Sequence, residues 1–436
     1  MKHCSLFYFF LLLHFVEPFT PILGHSKKLR NSTCKMYATN REDEKLKETS
    51  STHHPKNIVI AGAGVIGTST AYYLAQNHPS DISSITIIDP TASIAPAASG
   101  KAGGFLALDW NDHSPTGPLA RRSFGLHQEL ADSLGQDAIM YRRLTCASIR
   151  VAPQKQNLGT AGQQGRPRGK KLEGVEWVDD VATFVQPLGD ESTIAQVHPK
   201  MLCEAMWDSV QQNDNFDSLL MKGKVAEAVY DGKGNTLIGA KLDDGTTIDA
   251  DILLFACGPW TKLYDCMLGV KYHSAIIPTR PRVLNQSVFF HGCGDPEVYP
   301  RSDGTAYCTG FPDPAIRVTE QPGEEEVREE AIDQIVNAVR EASGGGSGDG
   351  DVGGVLGNEP ELKQSCYLPT TVDNLPMIGE LPDQKRCFVA AGHGCWGILL
   401  GPATGEAMAS LMVNGKSDTV DLRAFRPERF GNMKIF

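Results

Sequence analysis

Apolar positions recur along this chain with two different periods, and the clearest switch from one to the other lies between residues 57 and 75. Asn57-Ile-Val-Ile-Ala61 is a short apolar run rich in β-branched residues, which predicts a buried strand. Past Gly67 the apolar residues Ala71, Leu74 and Ala75 fall at helical spacing. Gly62, Gly64 and Gly67 stand at the junction, and a second strand-like run, Ile85-Thr-Ile-Ile-Asp89, places a carboxylate about 20 residues further on. Strand, glycine turn, helix and acidic strand end together predict a βαβ unit that seats a dinucleotide. Gly62 permits the tight turn, Gly64 lets the backbone approach a pyrophosphate, and Gly67 lets helix and strand pack closely. Val65 and Ile66 then open a helix whose free N–H groups face phosphate, and Asp89 meets a ribose hydroxyl.

The run Pro90 to Ala107 carries small residues until Phe105, which suits close passage beside a flat ligand. An amphipathic helix follows over Leu119 to Leu134, with Leu126, Leu130 and Leu134 on one face. Pro199 starts another over Lys200 to Val210. Three strands, Val225–Tyr230, Thr236–Leu242 and Thr246–Leu254, are separated by good turn sequences and predict a β-meander running into Ala256-Cys-Gly-Pro-Trp260. Strands recur from Ser274 to Thr309, with Pro278, Pro281 and Pro300 at ends or edges. Glu324 to Ala342 reads as a helix with Ile332, Ile335, Val336 and Val339 inward. Near the end, the strand Cys387–Ala391, the loop Gly392-His-Gly-Cys-Trp-Gly397 and a helix from Pro402 to Val413 repeat the strand, glycine loop and helix order. A ligand touching both glycine turns needs two ends, and FAD suits that better than NAD.

The 436 residues suffice for two domains, and 41% apolar content suits a globular core. A formal charge of −11 argues against a nucleic-acid partner. Eleven cysteines without CxxC pairs or zinc spacing read as reduced thiols, and no metal site is suggested. Residues 1–55 are set apart as a leader. The apolar run Leu6 to Val16 and the basic stretch His25 to Arg41 leave a secretory signal, an organellar presequence and a cytosolic extension open, with Asn31-Ser-Thr33 a sequon only on the secretory route. Gln154 to Lys171 and residues 343–358 are polar or glycine-rich, and read as surface insertions.

Four blocks, Gly62-Ala-Gly-Val-Ile-Gly67 with Asp89, Ser99-Gly-Lys-Ala-Gly-Gly104, Ala256-Cys-Gly-Pro-Trp260, and Asp373-Asn-Leu-Pro-Met-Ile-Gly379 with Gly392–Gly397, resemble the FAD-dependent oxidoreductases of the D-amino-acid oxidase type, among them glycine and sarcosine oxidase. The resemblance implies an α/β (α+β) fold, with a Rossmann-like three-layer FAD-binding domain (about 56–135, 195–270 and 362–413) and an antiparallel-sheet substrate domain (about 136–194 and 271–361), followed by a tail, 414–436. It also implies that Ser99, Gly100, Lys101, Ala102, Gly103 and Gly104 run beside the flavin ring. Val225 then meets the adenine, Cys257, Gly258 and Trp260 bring further backbone, and Gly379, Gly392, His393, Gly394, Gly397 and Ile398 close over the ring.

No catalytic side chain is singled out. Where glycine oxidase-like members carry a carboxylate-binding arginine this chain has Leu368-Pro369, so Arg280, Arg282 or Arg301, with Phe105, become the candidate substrate contacts. Cys366 is the candidate for covalent flavin attachment. The implied activity is oxidation of a small amine, imino or amino-acid-like substrate by hydride transfer to FAD, with oxygen or another acceptor taking the electrons. A nicotinamide-dependent dehydrogenase and a flavin-binding interaction or trafficking protein are the alternatives.

Overall fold

The computed structural model describes residues 54–151, 172–178, 182–234, 236–292, 294–343 and 354–433. The leader through residue 53, the insertion 152–171 and the centre of the glycine-rich insertion, 344–353, lie outside them, although Ser343 and Leu356 at its two edges are buried.

The first strand, Lys56–Ala61, sits inside a six-stranded sheet. Its neighbours are Ile82–Asp89 on one side, leading to Asp217–Lys222, and Ile252–Phe255 on the other, leading to Gln384–Ala391. These five strands run parallel, and Met377–Leu381 adds an antiparallel edge. Because side chains alternate along a strand, the apolar run divides between two cores. Ile58 and Ile60 face the helices Val65–Asn77, Gly117–Leu134, Pro199–Gln211 and Gly397–Asn414. Val59 and Ala61 face the opposite layer, where Leu237, Ala240 and Leu242 of a three-stranded meander pack. Helices, parallel sheet and meander are the three expected layers.

The second sheet is built around the long strand Met267–Pro278, which pairs with Leu362–Thr371 on one side and Thr305–Gly310 on the other. It continues through Glu297–Pro300, Gln286–His291, Thr145–Val151 and Ala182–Gly189. It is not wholly antiparallel, since Gln286–His291 and Thr145–Val151 run parallel. One face carries Ala275, Ile277, Phe290, Val298 and Ala306 against the helix Glu329–Ala342. The register puts Tyr272, Ser274, Phe289, Glu297, Tyr299, Tyr307 and Cys366 together on the other face, towards the first domain.

Four elements differ from the sequence pattern, each for a local reason. The third meander strand stops at Asp249, and Ile252–Phe255 crosses into the main sheet, where Asp251 accepts the Asn57 N–H at 2.9 Å. The acidic helix begins at Glu329 rather than Glu324, because Glu325 turns inward to an ion pair with Lys101. The last helix begins at Gly397 and runs through Pro402. The segment after residue 413 is no loose tail: Phe425 is fully buried, and Arg429 pairs with Asp373 at 2.7 Å while donating to the Leu375 and Pro376 carbonyls.

Candidate flavin site

The first glycine turn is shaped by what a side chain would strike. Gly62 has φ +109°, and a Cβ there would collide with the Ala256 carbonyl. A Cβ on Gly67 would meet the Gly62 carbonyl, so the helix lies directly on the turn. Thr68 N–H makes the first intrahelical bond, to Gly64 O at 3.0 Å, and the preceding N–H groups lie outside the ladder. Val65 N–H donates to Ser99 Oγ at 2.9 Å, which ties the small-residue run to the helix start. Asp89 is buried, accepts the Ala63 N–H on Oδ2 at 3.2 Å and the Thr91 N–H on Oδ1 at 2.9 Å, and also borders the adjoining cleft.

That cleft takes in about 1220 Å³, part of it open to solvent. Gly62, Gly64, Val65, Ile66 and Asp89 line one end, with Ser99 and Ala102 along one side. Val225, Cys257, Gly258 and Trp260 form the opposite wall. Gly392, His393, Gly394, Gly397 and Ile398 close the far end. The two glycine loops, more than 300 residues apart in sequence, thus border one cavity.

The other predicted residues stand behind the lining. Gly67 and Gly100 allow close backbone packing, Gly103 presses against Tyr299 and Tyr307, and Gly104, at φ +79°, lies against the Val197 carbonyl. Gly379 packs on Pro427 rather than the cleft. Lys101 Nζ is 3.3 Å from the buried Glu325 carboxylate and donates to Ser365 O at 3.0 Å. Cys366 is buried outside the lining, and burial pushes its thiol up to about 12.

Arg280 and Arg282 are corrections. Both are exposed; Arg280 pairs with Glu361 and Arg282 donates to Glu176 O, so the strand end turns them away from the cleft. Arg301 is buried over the Tyr307 ring and donates to Ala102 O at 3.3 Å, beside the cleft but not in its lining.

Sequence reasoning missed the cleft residues Lys224, Glu320, Gln321 and Pro322. Glu320 accepts Lys224 at 3.1 Å and Lys262 at 3.2 Å, holding a strap across one wall. Lys224 adjoins the predicted Val225, whereas the strap belongs to no periodic element and left no pattern to find.

The far end is electrically quiet at its side chains. His393 Nε2 pairs with Thr404 Oγ1 at 3.1 Å, and burial pushes the imidazole down to about 3, so it is neutral near pH 7. It lines the cleft without supplying charge. Positive potential there comes instead from the start of the helix Gly397–Asn414.

Beyond the far end stands an aromatic cluster. Phe105 is stacked on Tyr299 with ring centroids 5.2 Å apart, Tyr299 on Tyr307 at 5.9 Å, and Phe289 meets Phe105 edge-on at 5.8 Å. Trp110 lies 5.2 Å from Phe105 and 6.2 Å from Trp396, the neighbour of the cleft residues Cys395 and Gly397. Tyr299 donates its hydroxyl to Glu297.

A cleft bordered by two glycine turns, each leading into a helix, fits a dinucleotide with a second, planar head. Residues 57–411 match the family described as FAD dependent oxidoreductase, and the chain belongs to that family. A protein named as an oxidoreductase in Schizosaccharomyces pombe is 30% identical over 86% of this chain and 98% of its own length. The crystal structure of glycine oxidase from Geobacillus kaustophilus covers 86% of this chain and 98% of its own at TM-score 0.65 and 20% identity. That of L-proline dehydrogenase from P. horikoshii covers 87% and 98% at TM-score 0.65 and 17% identity, and both share this fold. FAD is the cofactor, and the chain is an FAD-dependent oxidoreductase.

Proposed function

We propose that the protein oxidises the C–N bond of a small amine or amino-acid-like substrate, with dioxygen or another acceptor restoring the cofactor. The observation that carries this is that one cavity is bordered both by the Gly392–Ile398 loop and by Leu368 and Pro369 of the second sheet's strand Leu362–Thr371. Solved structures named for glycine and L-proline oxidation share that architecture, which supports a C–N substrate.

When bound, FAD supplies the redox chemistry as a two-electron acceptor. The chain supplies position and field. Gly62, Gly64 and the start of the helix Val65–Asn77 would hold the pyrophosphate, Asp89 the ribose, and Val225 the adenine. The Gly392–Ile398 backbone and the helix start behind it set a positive potential at the far end, which favours negative charge developing there.

The test is to incubate the FAD-loaded protein with amines and amino acids in air and to assay carbonyl product. Formation of an aldehyde, ketone or keto acid together with the released amine is the expected result. Turnover confined to alcohols or hydroxy acids would reject a C–N substrate.

A further inference from the structure

Arg429 stands beyond the family match, which ends at residue 411. It belongs to the segment Pro427–Met433, its side chain is four-fifths covered, and every N–H of its guanidinium has an acceptor. Nη1 donates to the Phe425 and Arg426 carbonyls at 2.6 and 3.1 Å, which fixes the fork to its own segment. The other edge grips the turn that begins at Asp373. Nε donates to the Asp373 carboxylate at 2.7 Å, and Nη2 to the Leu375 and Pro376 carbonyls at 2.8 and 3.1 Å. Within that turn Asn374 sits at φ +58°, a conformation that persists where its surroundings fix it.

Two links run from this turn to the cleft. The Thr371 hydroxyl is 2.9 Å from Asp373 Oδ1 and 2.7 Å from the Leu375 carbonyl, and a Cβ on Gly392 would come within 2.6 Å of the Thr371 methyl. Thr371 is thus the floor beneath Gly392, while its neighbour Thr370 bridges to His393. At the other end of the turn, Met377 pairs with Ala391, the residue before Gly392. Gly392, His393 and Gly394 line the cleft, and Arg429, Asp373 and Thr371 stand behind them. In a close-packed interior a displaced turn carries its neighbours with it.

We propose that Arg429 is a positioning residue for the flavin: by fixing the turn Asp373–Pro376 it sets where the Gly392–Gly394 backbone stands, and so tunes the stability of reduced relative to oxidised FAD. This rests on the FAD assignment and goes beyond the reading of the substrate. The guanidinium charge is met by Asp373, so the effect comes through geometry. A lysine, with a compact head in place of a planar fork, cannot hold both sides of the turn.

The experiment uses the full-length, FAD-loaded chain and measures the midpoint potential of the bound flavin against a reference dye, together with its visible spectrum, in wild type, Arg429→Lys, Thr371→Val and Arg423→Gln. Arg429→Lys should lower the ratio of reduced to oxidised FAD affinity about tenfold, read as a potential about 30 mV lower, and displace the flavin bands. Thr371→Val keeps the shape against Gly392 but removes the hydroxyl. It should shift the potential the same way by about threefold in that ratio, and it decides the matter if the first variant does not fold. Combined, the two should shift it by less than their sum, since both act on one turn. Arg423→Gln changes an exposed arginine of the same tail that pairs with the adjacent Asp421, and should keep the wild-type potential.

Wild-type potentials and spectra in Arg429→Lys and Thr371→Val would overturn the proposal, because an arginine that serves stability alone lowers the melting temperature and leaves the potential in place. An equal shift in Arg423→Gln would overturn it too, by tracing the effect to charge. The readout needs no substrate. Failure of C–N oxidation therefore leaves the proposal standing, and unshifted potentials in a protein that oxidises amines reject only the role of Arg429.

Discussion

His127 Nε2 donates to the Ile398 carbonyl at 3.0 Å, and that carbonyl is the one Pro402, which has no N–H, cannot satisfy within the helix Gly397–Asn414. The assignment of the proton to Nε2 follows because a carbonyl only accepts. A histidine from a helix 271 residues away thus completes the first turn of the helix that closes the far end of the cleft. His127→Ala should leave a buried carbonyl unpaired and cost roughly 1–3 kcal/mol. Thermal unfolding of the loaded protein checks this. In Pro402→Ala the new N–H competes for the same carbonyl, so the two substitutions together should cost less than the sum of each alone.

Gly62→Ala and Gly67→Ala are expected to abolish flavin retention. The first puts a side chain at a positive φ against the Ala256 carbonyl, and the second pushes the helix start off the turn. The absorbance ratio of flavin to protein after purification reports the outcome, and a yellow Gly67→Ala protein would contradict the proposed packing role.

Flavin should be released wholly into the supernatant on acid precipitation. Cys366 is buried outside the cleft lining, and a thiol held near 12 supplies little thiolate for attachment. Flavin remaining in the pellet, and lost in Cys366→Ser, would show the contrary.

Stability should fall between about pH 6.5 and pH 4. His127 and His198 are pushed down to about 4, and His393 to about 3, chiefly by burial. A histidine whose folded pKa is depressed binds its proton more readily when unfolded, so its contribution is complete above the unfolded value and drains away below it. For the fully buried pair, His127 and His393, the slope is about 1.4 kcal/mol per histidine for each pH unit. Glu297, whose carboxyl is raised by burial, acts in the opposite sense over the acid range, but it is one group against five, since burial holds His273 and His291 down as well. Denaturant midpoints at pH 7.0, 6.0 and 5.0 should decline in order.

Much of this was legible in the chain because period and glycine placement encode local geometry. Ile58 and Ile60 against Val59 and Ala61 already announce a strand covered on both faces, and Gly62, Gly64 and Gly67 a turn with no room for side chains. Features set by partners distant in sequence were not legible. The start of the last helix depends on His127, the inward turn of Glu325 on Lys101, and the course of Ile252–Phe255 on a place between two strands far away in the chain. The aromatic face was hidden for the same reason: Phe289, Glu297 and Tyr299 come together through sheet register, and Phe105 meets them from a strand of another sheet. A proline ahead of a glycine-rich helix reads locally as a boundary, and only a side chain from another helix lets the turn continue through it.

The most direct measurement of the central claim is an anaerobic titration of the purified, FAD-loaded chain, following the flavin absorbance as small amines, imino acids and amino acids are added. Loss of the oxidised flavin bands with at least one of them, restored on admitting air or an added acceptor, is the predicted result. Bands that persist through the whole panel while a chemical reductant bleaches them would contradict it.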